Sequence, residues 1–133
     1  MRRSGNKVTV LTYLSMVSRA LKAAEEAGVD AEVIDLRTLD RASLDWDTIG
    51  ASIQKTNNVL IVEQGARGTS YGAMLADEIQ RRYFDWLDQP VKRVTGGEAS
   101  PSISKVLERA AFADTEEVIA GLADVLADLG EQA

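Results

Sequence analysis

The 133-residue sequence contains no cysteine and no histidine. The first absence removes disulfides, thiolate metal sites and thiol nucleophiles, and it fits a cytoplasmic protein. The second removes the usual general base near neutral pH and the commonest transition-metal ligand. Any chemistry run by this chain therefore falls to carboxylates, arginines, tyrosines and hydroxyls. Long apolar runs are missing too: no stretch reaches the ~18 residues of a membrane span. Met1-Arg2-Arg3-Ser4-Gly5 leads into a strand pattern and does not read as a secretory signal. Positive charge is in deficit, with 15 basic against 21 acidic residues and a net charge of −6. That balance disfavours nucleic acid and anionic membranes, and suits a basic protein partner. Repeats, low-complexity tracts and linkers are absent as well, so the length fits one domain over residues 1–133, with loose ends at 1–6 and 130–133.

What is present is an alternation. Short β-branched runs at Val8–Tyr13, Ala31–Leu36, Asn58–Glu63 and Val91–Thr95 are separated by segments of helical periodicity. After the first run, Ser15 is placed to cap a helix carrying Val17, Ala20, Leu21 and Ala24 on one face, ended by Gly28. Asp45 caps a second helix with Trp46, Ile49 and Ile53 along one side, and Leu75, Ile79 and Tyr83 share a face of a third. Asp88-Gln89-Pro90 stops that third segment, because proline lacks an amide donor and suits a strand start. A short helix is expected around Ser100–Leu107. A final one carries Val118, Leu122, Val125 and Leu129, with a capping box at Asp114 and Glu117 and a stop at Gly130. This is the pattern of a three-layer α/β/α sandwich with a mainly parallel, doubly wound sheet. Right-handed crossovers give the strand order 2-1-3-4, which places the switch-point crevice beyond Tyr13 and Glu63.

Several residues at such a crevice could carry function. The loop Glu63–Gly72, with Gly65, Arg67, Tyr71 and Gly72, precedes a helix N-terminus that could receive an anion. Its spacing matches neither dinucleotide nor P-loop fingerprints, so loop flexibility or close backbone packing is the plainer reading. Glu63 could act as a buried acid, or serve as a structural hydrogen-bond acceptor, which a chain without other catalytic partners favours. Asp35 and Arg37 can pair at the end of the second strand. Asp85, Trp86 and Asp88 form an acidic-aromatic patch, either a solvated turn or a dock for a basic partner. The similar Asp45-Trp46-Asp47 reads as a helix cap.

The order and spacing of Asp35–Leu39, Asp45–Asn57, Val59–Gly65, Tyr71–Ile79 and Phe84–Gly96 resemble a known family. It is the C-terminal domain of the beta subunit of thiamin-diphosphate-dependent 2-oxo acid dehydrogenases, within the transketolase superfamily. The resemblance covers residues 7–128. It implies a mixed sheet whose first, antiparallel strand precedes Val8, so that Arg2-Arg3 stands where that strand ends, and a parent subunit more than twice this length. It implies that thiamin diphosphate and magnesium are bound elsewhere in the parent enzyme, with no catalytic, cofactor or metal residue in this domain. The implied partners are an alpha subunit and a second beta subunit in an α2β2 tetramer, and the small basic peripheral-subunit-binding domain of the acyltransferase core. Asp88 matches the family's acidic docking position, with Asp85 and Trp86 beside it. Tyr13, Ser15, Glu63, Gly65, Arg67, Tyr71 and Gly72 are left as crevice or interface residues. Gly96–Pro101 departs from the family, which commonly carries an aspartate, a second proline and an aromatic residue there.

The reading is thus an assembly and docking domain of a cytoplasmic oxidoreductase, inactive by itself. The alternatives are a small-ligand or phosphate-responsive regulatory α/β domain using the Tyr13, Ser15 and Gly65–Gly72 crevice, and a transketolase-like C-terminal domain. If the antiparallel strand is missing, the Ala31–Leu36 strand is an edge, and the chain is expected to self-associate, by pairing of that edge or through the apolar surface that faces the rest of the subunit.

Overall fold

The computed structural model describes residues 2–13, 16–37, 44–63, 71–95 and 115–132. The apolar runs form β1 (Val8–Thr12), β2 (Ala31–Asp35), β3 (Val59–Val62) and β4 (Lys92–Val94). Around them lie α1 (Met16–Ala27), α2 (Trp46–Thr56), α3 (Tyr71–Tyr83), a 3-10 turn (Phe84–Trp86) and α4 (Thr115–Gln132). Each strand is one or two residues shorter than its apolar run, since the ladder ends before the hydrophobic pattern does.

All strand pairs are parallel, in the order β2-β1-β3-β4, as the crossover argument requires. Strand alternation sorts the side chains into two cores. Val8, Val10, Val33, Leu60, Val62 and Val94 face α1 and α4, where Met16, Ala20, Ala24, Val118, Leu122 and Val125 meet them. Leu11, Ile34 and Ile61 face α2 and α3, and pack on Ile49, Ile53, Leu75 and Ile79. Leu60 and Ile61 in β3 are both fully buried, as a central strand covered on both faces should be. Each such side chain contributes about 1.5–3 kcal/mol by leaving water.

Local signals explain the helix ends. Gly28 takes φ +65° just after α1, a left-handed conformation that costs glycine little. Asp45 accepts the Thr48 amide at 3.1 Å, so the anticipated cap is in place, and the Thr48 hydroxyl and amide hold its carboxyl below the usual range. Gly130, expected to stop the last helix, lies inside α4, which runs on to Gln132. A helical glycine costs about 1 kcal/mol relative to alanine, which weakens a turn without breaking it. The Ser15 cap, the Ser100–Leu107 helix and Asp114 of the capping box fall outside the described residues.

The first residues lie on the β2 edge. Arg3 forms an antiparallel bridge with Val33, exchanging backbone bonds at 3.3 and 2.9 Å, and its guanidinium donates to the Val29 carbonyl at 2.9 Å. Gly5 is buried and donates its amide to the Glu32 carboxylate at 3.2 Å. A β-carbon on Gly5 would collide with the Ala31 carbonyl, at 2.6 Å from its oxygen, so only glycine lets the backbones approach. Residues 2–5 therefore pack on the sheet, where the sequence reading left a loose end.

Candidate functional site

The sites marked in the sequence separate to opposite ends of the sheet. At the strand C-termini, Tyr13 follows β1 and Glu63 follows β3, side by side on the α2/α3 face. Glu63 is fully buried. Its Oε2 accepts the Tyr13 hydroxyl at 3.2 Å and the Gly72 amide at 2.6 Å, while Oε1 accepts the Arg93 guanidinium at 2.9 Å. A β-carbon at Gly72 would overlap the Glu63 carboxylate, which explains that glycine by close approach. Tyr71 meets Tyr13 edge-on, with ring centroids 6.1 Å apart.

Electrostatics at this end favour a structural anchor. Burial first, then the Glu63 charge and its hydrogen bond, push the Tyr13 phenol far above its ordinary range. Tyr13 thus stays protonated and donates; it is no base at neutral pH. Glu63 accepts bonds from Tyr13 just after β1, Gly72 on α3 and Arg93 on β4, and ties those elements together. Of the crevice residues named from sequence, the structure unites Tyr13, Glu63, Tyr71 and Gly72. Ser15, Gly65 and Arg67 lie outside the described residues. Arg93 escaped the sequence reading; its side chain, in the short strand Lys92–Val94, is mostly buried and pairs with the Glu63 carboxylate.

At the N-terminal end of the sheet, α3 runs into the 3-10 turn and then to Pro90, ahead of β4. Phe84 is 74% exposed and Trp86 47%, the exposed large hydrophobic side chains among the described residues. Asp85 and Asp88 are exposed beside them. Gln80, Phe84, Asp85, Leu87, Asp88, Gln89 and Pro90 line a surface groove here. The turn is pinned from behind. Asn57, the α2 cap, donates its side-chain amide to the Trp86 carbonyl at 2.6 Å and accepts the Asp88 amide on its own carbonyl at 2.9 Å. Gln89 donates to Asn58 Oδ1 at 2.6 Å and to the Val125 carbonyl at 3.2 Å. Sequence reading found Asp85, Trp86 and Asp88 but missed Phe84 and the Asn57-Asn58-Gln89 support.

Elsewhere, Asp35 pairs with Arg37 at 3.7 Å, and its carboxylate accepts the Arg37 amide at 3.0 Å. Glu32, buried in β2, pairs with Lys55. Trp46 lies under the Arg82 guanidinium, 4.2 Å from the ring centroid, and contributes to the α2–α3 contact. Among the described residues no three His, Cys, Asp or Glu side chains gather as a cation site, and no helix is long and apolar enough to cross a membrane.

An open parallel sheet wound 2-1-3-4, with its first residues antiparallel on the β2 edge, defines a doubly wound α/β domain of the transketolase-like class. The chain belongs to the family of transketolase C-terminal domains, whose model matches residues 1–118. It is 48% identical over 99 residues to the 3-methyl-2-oxobutanoate dehydrogenase subunit beta of Mycobacterium tuberculosis, covering 71% of this chain and 28% of that one. It is 38% identical over 120 residues to the pyruvate dehydrogenase E1 component subunit beta of Rickettsia felis, covering 88% of this chain and 36% of the relative. Among solved structures, a split-gene transketolase described as an inactive beta4 tetramer superposes with a TM-score of 0.73 at 23% identity, over 94% of this chain and 40% of the other. That likeness is one of fold. The chain spans about a third of the length of these curated relatives.

Proposed function

We propose that this chain is the assembly and partner-docking domain of the beta subunit of a thiamin-dependent 2-oxo acid dehydrogenase, working in the cytoplasm and contributing to oxidative decarboxylation only within the whole enzyme. The observation that carries the reading is the turn Phe84–Asp88: two exposed aromatic side chains with two exposed carboxylates, on a rigid support. Large solvent-exposed aromatics cost free energy unless a partner covers them, and aromatic anchors ringed by charge are the usual composition of a binding hot spot. The carboxylates select a basic partner, and the small peripheral-subunit-binding domain of an acyltransferase fits. The opposite, Glu63 end faces the alpha subunit and the second beta subunit. In this reading magnesium and thiamin diphosphate are held by other parts of the enzyme; among the described residues no three His, Cys, Asp or Glu side chains gather that could hold a metal ion. The phosphate-responsive alternative has less support, since Glu63 at the switch point is engaged by three donors.

The test is calorimetric titration of the chain with a purified peripheral-subunit-binding domain. Affinity should fall steeply between low salt and about 0.5 M, where the Debye length is a few ångströms. Asp88→Lys should weaken binding at least about tenfold. Affinity unchanged by both perturbations refutes docking at this turn, and micromolar binding of thiamin diphosphate with magnesium by this chain alone refutes the division of labour.

A further inference from the structure

The exposed turn is held in place by a residue outside it. Asn57 sits at φ 61° and closes α2 by donating its backbone amide to Ile53 at 2.8 Å. The left-handed cap favours glycine above all and tolerates asparagine. A glycine would thus serve the helix at least as well, and the asparagine side chain is surplus to the cap. That side chain reaches 29 residues along the sequence to the Trp86 carbonyl, at 2.6 Å. Two further bonds converge on the same segment, from the Asp88 amide to the Asn57 carbonyl and from Gln89 to Asn58. Leu87 packs this turn on the α2/α3 core from one side, while Phe84 and Trp86 reach into water, so the polar bonds fix the aromatic side of the turn.

We infer that Asn57 is a positioning residue for partner binding: its amide clamp on Trp86 holds Phe84 and Trp86 in the conformation that a small basic partner domain engages. The proposal rests on the docking reading above. A second copy of this chain is the less suitable occupant, because a two-fold contact would bring Asp85 and Asp88 of both copies together. Preforming the turn removes the ordering cost that a mobile aromatic loop incurs on binding.

Asn57→Gly keeps the left-handed cap and deletes the clamp; Asn57→Asp keeps a side chain of the same size and replaces the donor with an acceptor. Both should bind the peripheral-subunit-binding domain about fivefold more weakly, the effect of one hydrogen bond, with the thermal midpoint of Asn57→Gly no lower than that of the parent chain. Phe84→Ala should cost about tenfold or more. Because the clamp acts through the aromatic anchors, Asn57→Gly should add little further loss in the Phe84→Ala background. Parent-like affinity for both Asn57 variants, with Phe84→Ala and Asp88→Lys still weakened, overturns the clamp and leaves the docking surface standing. Full additivity of Asn57→Gly with Phe84→Ala also overturns it. Parent-like binding by Phe84→Ala and Asp88→Lys overturns the docking reading itself.

Discussion

Gly72→Ala sets two effects against each other. On helix propensity alone the change should stabilise, because alanine is favoured over glycine inside a helix by about 1 kcal/mol. The structure says otherwise. The new methyl would occupy the position of the Glu63 carboxylate, which accepts the Gly72 amide at 2.6 Å. A carboxylate at the end of a free side chain could swing aside cheaply. This one is fully buried and fixed by Tyr13 and Arg93 as well, so moving it strains or breaks all three bonds. Overpacking costs about 1–3 kcal/mol, and breaking a buried ion pair about 3–5 kcal/mol. After subtracting the propensity gain, a net loss of up to about 4 kcal/mol follows, largest if the ion pair breaks. Urea denaturation followed by far-ultraviolet circular dichroism measures it, provided the m-value stays constant. A Glu63→Ala background supplies the control, since without the carboxylate Gly72→Ala should lose most of its cost. A stabilised Gly72→Ala protein, or an equal cost in both backgrounds, refutes the view that glycine is there to admit the carboxylate.

Two other outcomes follow from buried polar contacts. Thr9→Val removes the hydroxyl that meets both Ser52 and Thr56 at 2.7 Å; Thr56 keeps the Asn58 carbonyl and Ser52 keeps Glu32, so the loss should be about 0.5–1.5 kcal/mol in the same denaturation assay. Burial raises the Glu32 pKa, but hydrogen bonds from Lys55, the Gly5 amide and Ser52 outweigh it and hold the carboxyl below its ordinary value. Its contribution is therefore complete above the unfolded-state pKa and is lost as pH falls through the folded one. Lys55→Met should lower the urea midpoint at neutral pH and lose much of that difference in acid, below the ordinary glutamate range, once Glu32 takes up a proton in the parent chain. A difference independent of pH would refute the linkage.

The winding was legible because it depends on few signals. Four β-branched runs with helical spacers, combined with right-handed crossovers, leave little choice but 2-1-3-4, and the sheet has that order. Asp45 was legible as a cap because the interaction is local, reaching only to Thr48. The Glu63 anchor was half legible. Glu63, Tyr13, Tyr71 and Gly72 each stood out by position, but nothing local joins Arg93 to a carboxylate 30 residues away in sequence. Phe84 was passed over because phenylalanine is normally buried. Its place beside Tyr83, off the stripe of Leu75 and Ile79, was the available clue. Asn57 carries no mark of its second task in the sequence, since the bond that gives it that task crosses to a distant part of the chain. The Arg3–Val33 bridge depends on backbone groups, which composition does not reveal.

The two ends of β3 have one further consequence. Asn58 lies just before the strand and Glu63 just after it, five residues on, so the two ends stand roughly 17 Å apart. Sites so far apart, with no shared hydrogen-bond partner among the described residues, respond to mutation independently. Charges on the Phe84–Asp88 turn can then be exchanged while the Tyr13–Glu63–Arg93 anchor goes undisturbed.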